Sequence, residues 1–146
     1  METTASAAAS RADIATLQAA LGQVLAPWVQ ELNLEVMAAE LGAVTLHLPV
    51  APRHVHAGGV LCGQTLMAAC DSAMVLAVMT HLGTFKPMTT VQLQTSFLRP
   101  VPGNSGHVQL LARVLKMGRN LVFGEVQVLD AKAALVAHAT TTYALL

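Results

Sequence analysis

Charged and aromatic residues are scarce in this chain. Of its 146 residues, 11% are charged and 3% are aromatic, whereas 54% are hydrophobic. One protomer therefore has little polar material with which to cover its surface. We expect part of the apolar surface to be buried against a second copy, which predicts a homo-oligomer.

The chain also lacks an excess of charge of either sign. Its formal net charge is zero, which argues against a nucleic-acid binder that works by bulk electrostatics. The two signs separate along the chain, because six of the eight basic residues follow Asp71. The C-terminal half could hold a small anionic ligand, or these residues could be ordinary solvated charges.

Cysteine is rare and long hydrophobic runs are missing. Cys62 and Cys70 are eight residues apart, which on a helix is about 12 Å and too far for a disulfide. Free thiols favour a reducing compartment. The apolar runs fall short of the roughly 20 residues of a membrane span, and the first residues lack the apolar core of a secretory signal. We expect a cytoplasmic protein without a membrane segment.

The first half of the chain divides into short elements. Residues 1 to about 10 are rich in Ala, Ser and Thr and are predicted to be disordered, and residues 11–146 are predicted to form one domain. Apolar residues at three- and four-residue steps predict a helix over residues 13–25. Two strands are predicted next, over residues 34–41 and 44–50.

The second half contains one long apolar segment and then a change of period. Residues 63 to about 81 are apolar on nearly all sides, which predicts a buried helix. After Gly83 the sequence alternates with a period of two residues, which is typical of a strand. One face of the first such strand carries Val91, Leu93, Thr95 and Phe97. Three further strands with short connections predict an antiparallel meander. A helix that is apolar on nearly all sides is shielded from solvent only if the sheet wraps around it. The prediction is therefore an α+β hotdog fold with one long central helix.

Asp71 lies in the middle of the long apolar segment. Burial of an ionised carboxylate in such surroundings costs free energy, so it is expected only where the carboxylate is paired or takes part in a reaction. One interpretation is a buried acid that serves as a cap or pairs with an arginine such as Arg99 or Arg113. The other is a general base or nucleophile in a dry cleft.

Glycines precede this acid at the predicted start of the same helix, at Gly58, Gly59 and Gly63. A helix N-terminus offers unpaired N–H groups and a positive dipole end, which suit a carbonyl oxygen that gains negative charge. Gly63 and Asp71 are about 12 Å apart along a helix, which is too far for both to contact one carbonyl. If both act, they come from two protomers whose helices are antiparallel, which again predicts a dimer.

Two stretches resemble the PaaI-like (phenylacetic-acid-degradation type) branch of the hotdog-fold acyl-CoA thioesterases. They read HAGGVLCGQTLMAACDSAM and TTVQLQTSFLRPVPGNSGHVQLLARVLKMGRNLVFGEVQV, and the similarity runs from about Leu34 to the C-terminus. The resemblance implies hydrolysis of an acyl-CoA thioester to free acid and CoA, by a homodimer that pairs further into a tetramer. We expect no cofactor and no metal ion.

The resemblance also implies roles for individual residues. Asp71 matches the family's general base or nucleophile, and Gly63 matches the glycine whose N–H polarises the thioester carbonyl. Cys62 stands where the family has His, and His56 stands where it often has Asn, so the polar surroundings differ from the family pattern. Cys62 is either a small apolar filler or a thiol nucleophile at a helix N-terminus.

Other candidates would contact the substrate. The family's water-orienting Ser falls at Thr90, or at Thr89 if the gap lies elsewhere. Gln64 either contacts substrate or satisfies the first helical turn. Arg99 and Arg119 could hold the phosphates of CoA.

Two alternatives remain open for the function. A hotdog hydratase or dehydratase would pair a catalytic His with the acid, and His56 is the available partner. A non-catalytic acyl-CoA binding module would bind the same ligand without releasing a thiol.

Overall fold

A computed structural model describes residues 7–146. The helices are α1 (Ile14–Gln23), α2 (Pro27–Gln30) and α3 (Gly63–Leu82), and the strands are β1 (Glu35–Glu40), β2 (Ala43–Pro49), β3 (Met88–Phe97), β4 (His107–Met117), β5 (Leu121–Leu129) and β6 (Leu135–Leu145). The disorder predicted for residues 1 to about 10 falls mainly on residues 1–6, which lie outside the described residues. Within the described part, the carbonyl of Ala8 accepts a hydrogen bond from the N–H of Leu41.

The six strands form one antiparallel sheet in the order β1-β2-β4-β5-β6-β3. Strands β4, β5 and β6 form the predicted meander. Strand β3 precedes them in the chain but pairs with β6, so it lies at one edge of the sheet, opposite β1 at the other edge. The predicted hotdog fold is confirmed.

Helix α3 lies against the inner face of this sheet and contacts all six strands. Most of its residues are buried, including Met74, Leu76 and Met79. At 20 residues it is long and apolar enough to cross a membrane, which corrects the expectation that no segment reaches that length. Because most of it is buried within the fold, it has the character of a core helix.

Local signals account for the boundaries of the helices. The carboxylate of Asp13 caps α1 by accepting a hydrogen bond from the N–H of Thr16 at 2.8 Å. Helix α3 ends at Gly83, whose φ of +80° closes the last turn onto the carbonyl of Met79. Helix α1 ends at Gln23, before the predicted limit at Leu25, and Pro27 begins the short helix α2, which was not predicted.

Helix α3 begins at Gly63, as predicted, and Gly58 and Gly59 lie in a turn before it. The predicted face of β3 is wrong at one position. Val91 does not share the inner face with Leu93, because the pairing of β3 with β6 shifts between residues 90 and 92. The resulting β-bulge leaves Val91 59% exposed.

Candidate active site

The carboxylate of Asp71 is held by two hydroxyl groups. Thr90 Oγ1 donates to Asp71 Oδ1 at 2.8 Å. The Tyr143 hydroxyl contacts the same Oδ1 and also donates to the backbone carbonyl of Asp71 at 2.7 Å. Both side-chain contacts fall on Oδ1, and Oδ2 accepts no hydrogen bond from any residue between 7 and 146.

An ion pair does not explain the presence of this acid. Arg113 pairs instead with Glu125, at 2.5 Å. Arg99 is exposed and lines a groove at the other end of α3. Within the described chain neither arginine is paired with Asp71, so the interpretation of Asp71 as a buried ion-paired acid is wrong.

The bulge at Val91 brings Thr90 to the acid. Strict alternation from Leu93, Thr95 and Phe97 would direct Thr90 away from α3. The extra residue changes the phase, and Thr90 becomes the cross-strand partner of Tyr143. The two residues whose hydroxyls contact Asp71 are therefore neighbours on adjacent strands.

A cavity of about 580 Å³ opens beside Asp71. It lies between α3, the start of β3 and the segment that joins α1 to α2. Apolar side chains make up most of its wall: Val24, Leu25, Ala26, Trp28, Val29, Met67, Ala68, Val75, Phe85, Met88 and Leu93. Its polar groups include Thr89, Thr90 and Tyr143. The cavity can take an apolar group whose polar end reaches the carboxylate.

Gly63 lies in a separate groove of about 320 Å³, which His56, Phe97 and Arg99 also line. A Cβ atom on Gly63 would lie 3.0 Å from Cζ of Phe97, so a glycine keeps this close approach open. No described side chain caps the N-terminus of α3. The His56 side chain is exposed, and its Nδ1 accepts the N–H of Gly58 at 2.9 Å.

The other predicted site residues are distributed unevenly. Gln64 lines the Asp71 cavity, although Gly63 beside it lines the groove. Cys62 is the N-cap of α3, and its sulfur contacts Thr65 Oγ1 at 3.0 Å. Arg119 is exposed in the turn between β4 and β5. These positions bring Thr90 and Gln64 to the Asp71 cavity, and His56 and Arg99 to the Gly63 groove.

The second cysteine is a core residue. Burial, together with the neighbouring Asp71 charge, raises the pKa of the Cys70 thiol to about 12. Cys70 is therefore protonated at neutral pH and unsuited to act as a nucleophile.

Tyr143 is the site residue that sequence analysis missed. It is the only tyrosine of the chain and is 2% exposed on the inner face of β6. A buried tyrosine hydroxyl usually finds a hydrogen-bond partner, and this is the signal that could have pointed to a buried acceptor. Burial and the charge of Asp71 raise the pKa of Tyr143, which keeps its hydroxyl protonated as a donor.

Comparisons with known proteins agree with this architecture. The model of the thioesterase superfamily matches residues 58–137. A variant of the phenylacetic acid degradation protein PaaI from Thermus thermophilus superposes with a TM-score of 0.72 at 26% identity, covering 83% of this chain and 100% of that one. A conserved Pseudomonas aeruginosa protein superposes with a TM-score of 0.77 at 28% identity, covering 86% and 98%.

A third structure supports the fold. The Haemophilus influenzae thioesterase superposes with a TM-score of 0.80 and covers 92% of this chain and 90% of that one, at 22% identity. Because the superfamily model covers more than half of the sequence, the chain belongs to the thioesterase superfamily, as a PaaI-like member with the hotdog fold.

Proposed function

We propose that this protein hydrolyses acyl-CoA thioesters at a site shared by two protomers. Membership of the thioesterase superfamily supports hydrolysis of a thioester or ester bond in general. The observation that carries the finer proposal is the Asp71 carboxylate, which is fixed through one oxygen and faces an apolar cavity. Such an acid suits a general base or nucleophile.

One protomer supplies only half of the proposed site. Gly63 and Asp71 are separated by eight residues of α3, or about 12 Å. They line two different spaces, the groove and the cavity. A thioester carbonyl that accepts the Gly63 N–H therefore needs an Asp71 from another chain.

The edge of β3 is suited to pairing with a second copy. Its sequence, MTTVQLQTSF, contains no charged residue and no proline, which are the usual means of preventing edge-to-edge pairing. Val91 and Phe97 are 59% and 50% exposed, and Leu98, which follows the strand, is 53% exposed. Antiparallel pairing of β3 with its copy would bury these side chains.

The arrangement of β3 along α3 gives such a dimer its register. Thr90 contacts Asp71, and Phe97 lies over Gly63. A two-fold axis between Leu93 and Gln94 would place Thr90 opposite the partner subunit's Phe97. The same operation would bring Asp71 to the partner subunit's Gly63, and symmetry would create two equivalent sites.

The proposed chemistry follows from these groups. The N–H of Gly63 donates to the thioester carbonyl oxygen and stabilises the charge that develops there. Oδ2 of Asp71 either takes a proton from the attacking water or attacks the carbonyl carbon itself. The C–S bond breaks, and CoA leaves as a thiolate that takes up a proton. In the first route the water oxygen becomes part of the free acid. In the second route a water molecule hydrolyses the anhydride between the acyl group and Asp71, which releases the free acid and restores the carboxylate. Arg99 and Arg119 would hold CoA phosphates from the rim.

The cavity indicates the class of acyl group. Its wall is mostly apolar and includes Met67, whereas Met74 is fully buried against Gly124. We infer that the substrate carries an apolar acyl group. Aromatic acyl groups deserve inclusion in any test, because the name of one relative refers to phenylacetic acid degradation.

The proposal is tested by thiol release from a panel of acyl-CoAs with short, medium and aromatic acyl groups. Asp71→Asn should abolish turnover and retain binding. Asp13→Asn is a matched control, because the same change is made at a helix cap that asparagine also serves. Full thiol release by Asp71→Asn would refute the proposal.

The two alternatives give different results in the same assay. A binding module would bind acyl-CoA saturably and release no thiol. A dehydratase would form an enoyl product from a 3-hydroxyacyl thioester, which its absorbance reports. Light scattering of the same samples would show whether the protein is a monomer, a dimer or a tetramer.

A further inference from the structure

Tyr143 connects the sheet to the acid in α3. Its ring is buried on the inner face of β6, between Thr90 of β3 and Val122 of β5 in the strand pairing. From this position its hydroxyl contacts both the backbone carbonyl and the carboxylate oxygen Oδ1 of Asp71. The two atoms of Asp71 are thus tied to a residue that is 72 positions away in sequence.

This contact restricts the rotation of the carboxylate. The last torsion of an aspartate side chain is broad and roughly two-fold when nothing holds it. Here Tyr143 and Thr90 both contact Oδ1. Oδ2 makes no hydrogen bond with the rest of the described chain, and it is the oxygen left for reacting atoms.

The two donors differ in how firmly they are held. Thr90 is exposed at the edge strand, whereas Tyr143 is 2% exposed within the core. A tyrosine has only two side-chain torsions, and burial in the core restricts the rotation of Tyr143 about them. Tyr143 is therefore the more rigid of the two contacts.

We propose that Tyr143 is a positioning residue for the hydrolysis, which holds Oδ1 of Asp71 so that Oδ2 faces the reacting carbonyl. This inference rests on the proposed thioesterase function. Tyr143 itself does not contact the thioester and exchanges no proton with it. It acts through Asp71 by keeping the carboxylate in its reactive orientation.

The kinetic test is Tyr143→Phe, which removes the hydroxyl and retains the ring. We expect kcat to fall about ten- to a hundredfold, because small errors of placement at the reacting atoms cost rate on that scale. KM should stay within about twofold, because the lost contact orients the acid and binds no substrate.

Thr141→Val is the matched control. Thr141 lies on the same face of β6, is 4% exposed, and donates to the backbone carbonyl of Gln92 at 2.9 Å. The substitution removes a buried hydroxyl from the same strand without touching Asp71. Thermal unfolding should show comparable losses of stability for both variants, whereas kcat should fall only in Tyr143→Phe.

A second measurement does not depend on activity. Because the chain has one tyrosine, biosynthetic incorporation of 3-fluorotyrosine labels Tyr143 alone. Its fluorine resonance should shift in the Asp71→Asn variant and remain in place in Asp13→Asn. This result would hold even if no thioester were hydrolysed, so failure of the contact and failure of the proposed function are distinguishable.

Three results would overturn the proposal. The first is a kcat for Tyr143→Phe within about twofold of the unchanged protein. The second is a loss confined to KM or shared equally by Thr141→Val. The third is a fluorine resonance that does not respond to Asp71→Asn.

Discussion

Replacement of Gly63 by proline should remove one hydrogen-bond donor and leave the backbone of α3 in place. Gly63 is the first helical residue, a position where proline is favoured because its missing N–H has no helical acceptor. Cys62 before it has φ −70° and ψ 148°, which is the extended conformation that a residue preceding proline adopts. The helix should therefore tolerate the change.

The expected loss of kcat follows from the proposed role of the Gly63 N–H. Loss of one donor to a developing oxyanion costs about a hundred- to a thousandfold in kcat, or roughly 2.7–4 kcal/mol. A Cβ at position 63 would also lie 3.0 Å from Cζ of Phe97, and this contact must be separated from the lost donor. Gly63→Ala adds the same Cβ and keeps the N–H, so the ratio of the two variants removes the effect of the Cβ and leaves that of the proline ring, whose Cδ replaces the donor hydrogen.

The assay is thiol release under saturating acyl-CoA for both variants, with thermal unfolding measured in parallel. We expect kcat of Gly63→Pro to be about a hundred- to a thousandfold below that of Gly63→Ala. The midpoints of unfolding should differ by only a few degrees, because proline also restricts the unfolded chain. Equal kcat values for two folded variants would refute the assignment of Gly63 as the oxyanion donor.

Three further outcomes are expected. Gly124→Ala should lower the free energy of unfolding by about 1–3 kcal/mol in urea titrations, because its Cβ would lie 2.2 Å from Cε of Met74. Trp28, the only tryptophan, is 64% exposed and lines the cavity. When the Asp71→Asn variant binds an acyl-CoA with a large apolar group, that group should displace water from the indole ring and shift the Trp28 fluorescence to shorter wavelength. Hydrogen bonds from His138 and Arg113 lower the pKa of Glu125. The stabilisation that the ionised Glu125 provides should therefore be fully present above the pKa of an unfolded glutamate, about 4.3, and be lost as the pH falls through the lower pKa of the folded protein.

Each of these outcomes has a control. Gly22→Ala, at a position in α1 with no described atom within 4 Å of the added Cβ, should not destabilise the protein. Free CoA, which lacks the acyl group, should leave the Trp28 emission unchanged. Glu125→Gln should be less stable than the unchanged protein at neutral pH, and this difference should shrink in strong acid. Equal stability of the two at neutral pH would contradict the role given to Glu125.

Most of the fold could be predicted because its elements are periodic. The long helix was predicted from Gly63 and begins there, and it ends one residue beyond the predicted limit at Leu82. The second strand places Val44, Leu46 and Leu48 inside, as strict alternation requires. Such patterns reflect local geometry and burial, which a single sequence records directly.

The site was predictable only where it depends on local spacing. The rise of a helix over eight residues places Gly63 too far from Asp71 for one chain to supply both groups, and this led to the two-chain site that we propose. The direction of the Thr90 side chain towards Asp71 was not predictable, because a bulge at Val91 interrupts the alternation of the strand. The contact of Tyr143 with Asp71 joins residues that are distant in sequence, and no local pattern records such a pairing.

Mixed dimers would show whether one protomer's Asp71 works with its partner's Gly63, as we propose. Asp71→Asn and Gly63→Pro chains with different affinity tags would be combined, and the species that carries both tags would be isolated. One of its two sites would then join an unchanged Asp71 to an unchanged Gly63. If the site is shared between chains, the mixed dimer should show about half the wild-type turnover per dimer, although each parent is nearly inactive. Turnover no higher than that of the parents, in a dimer shown to contain both chains, would contradict the proposal.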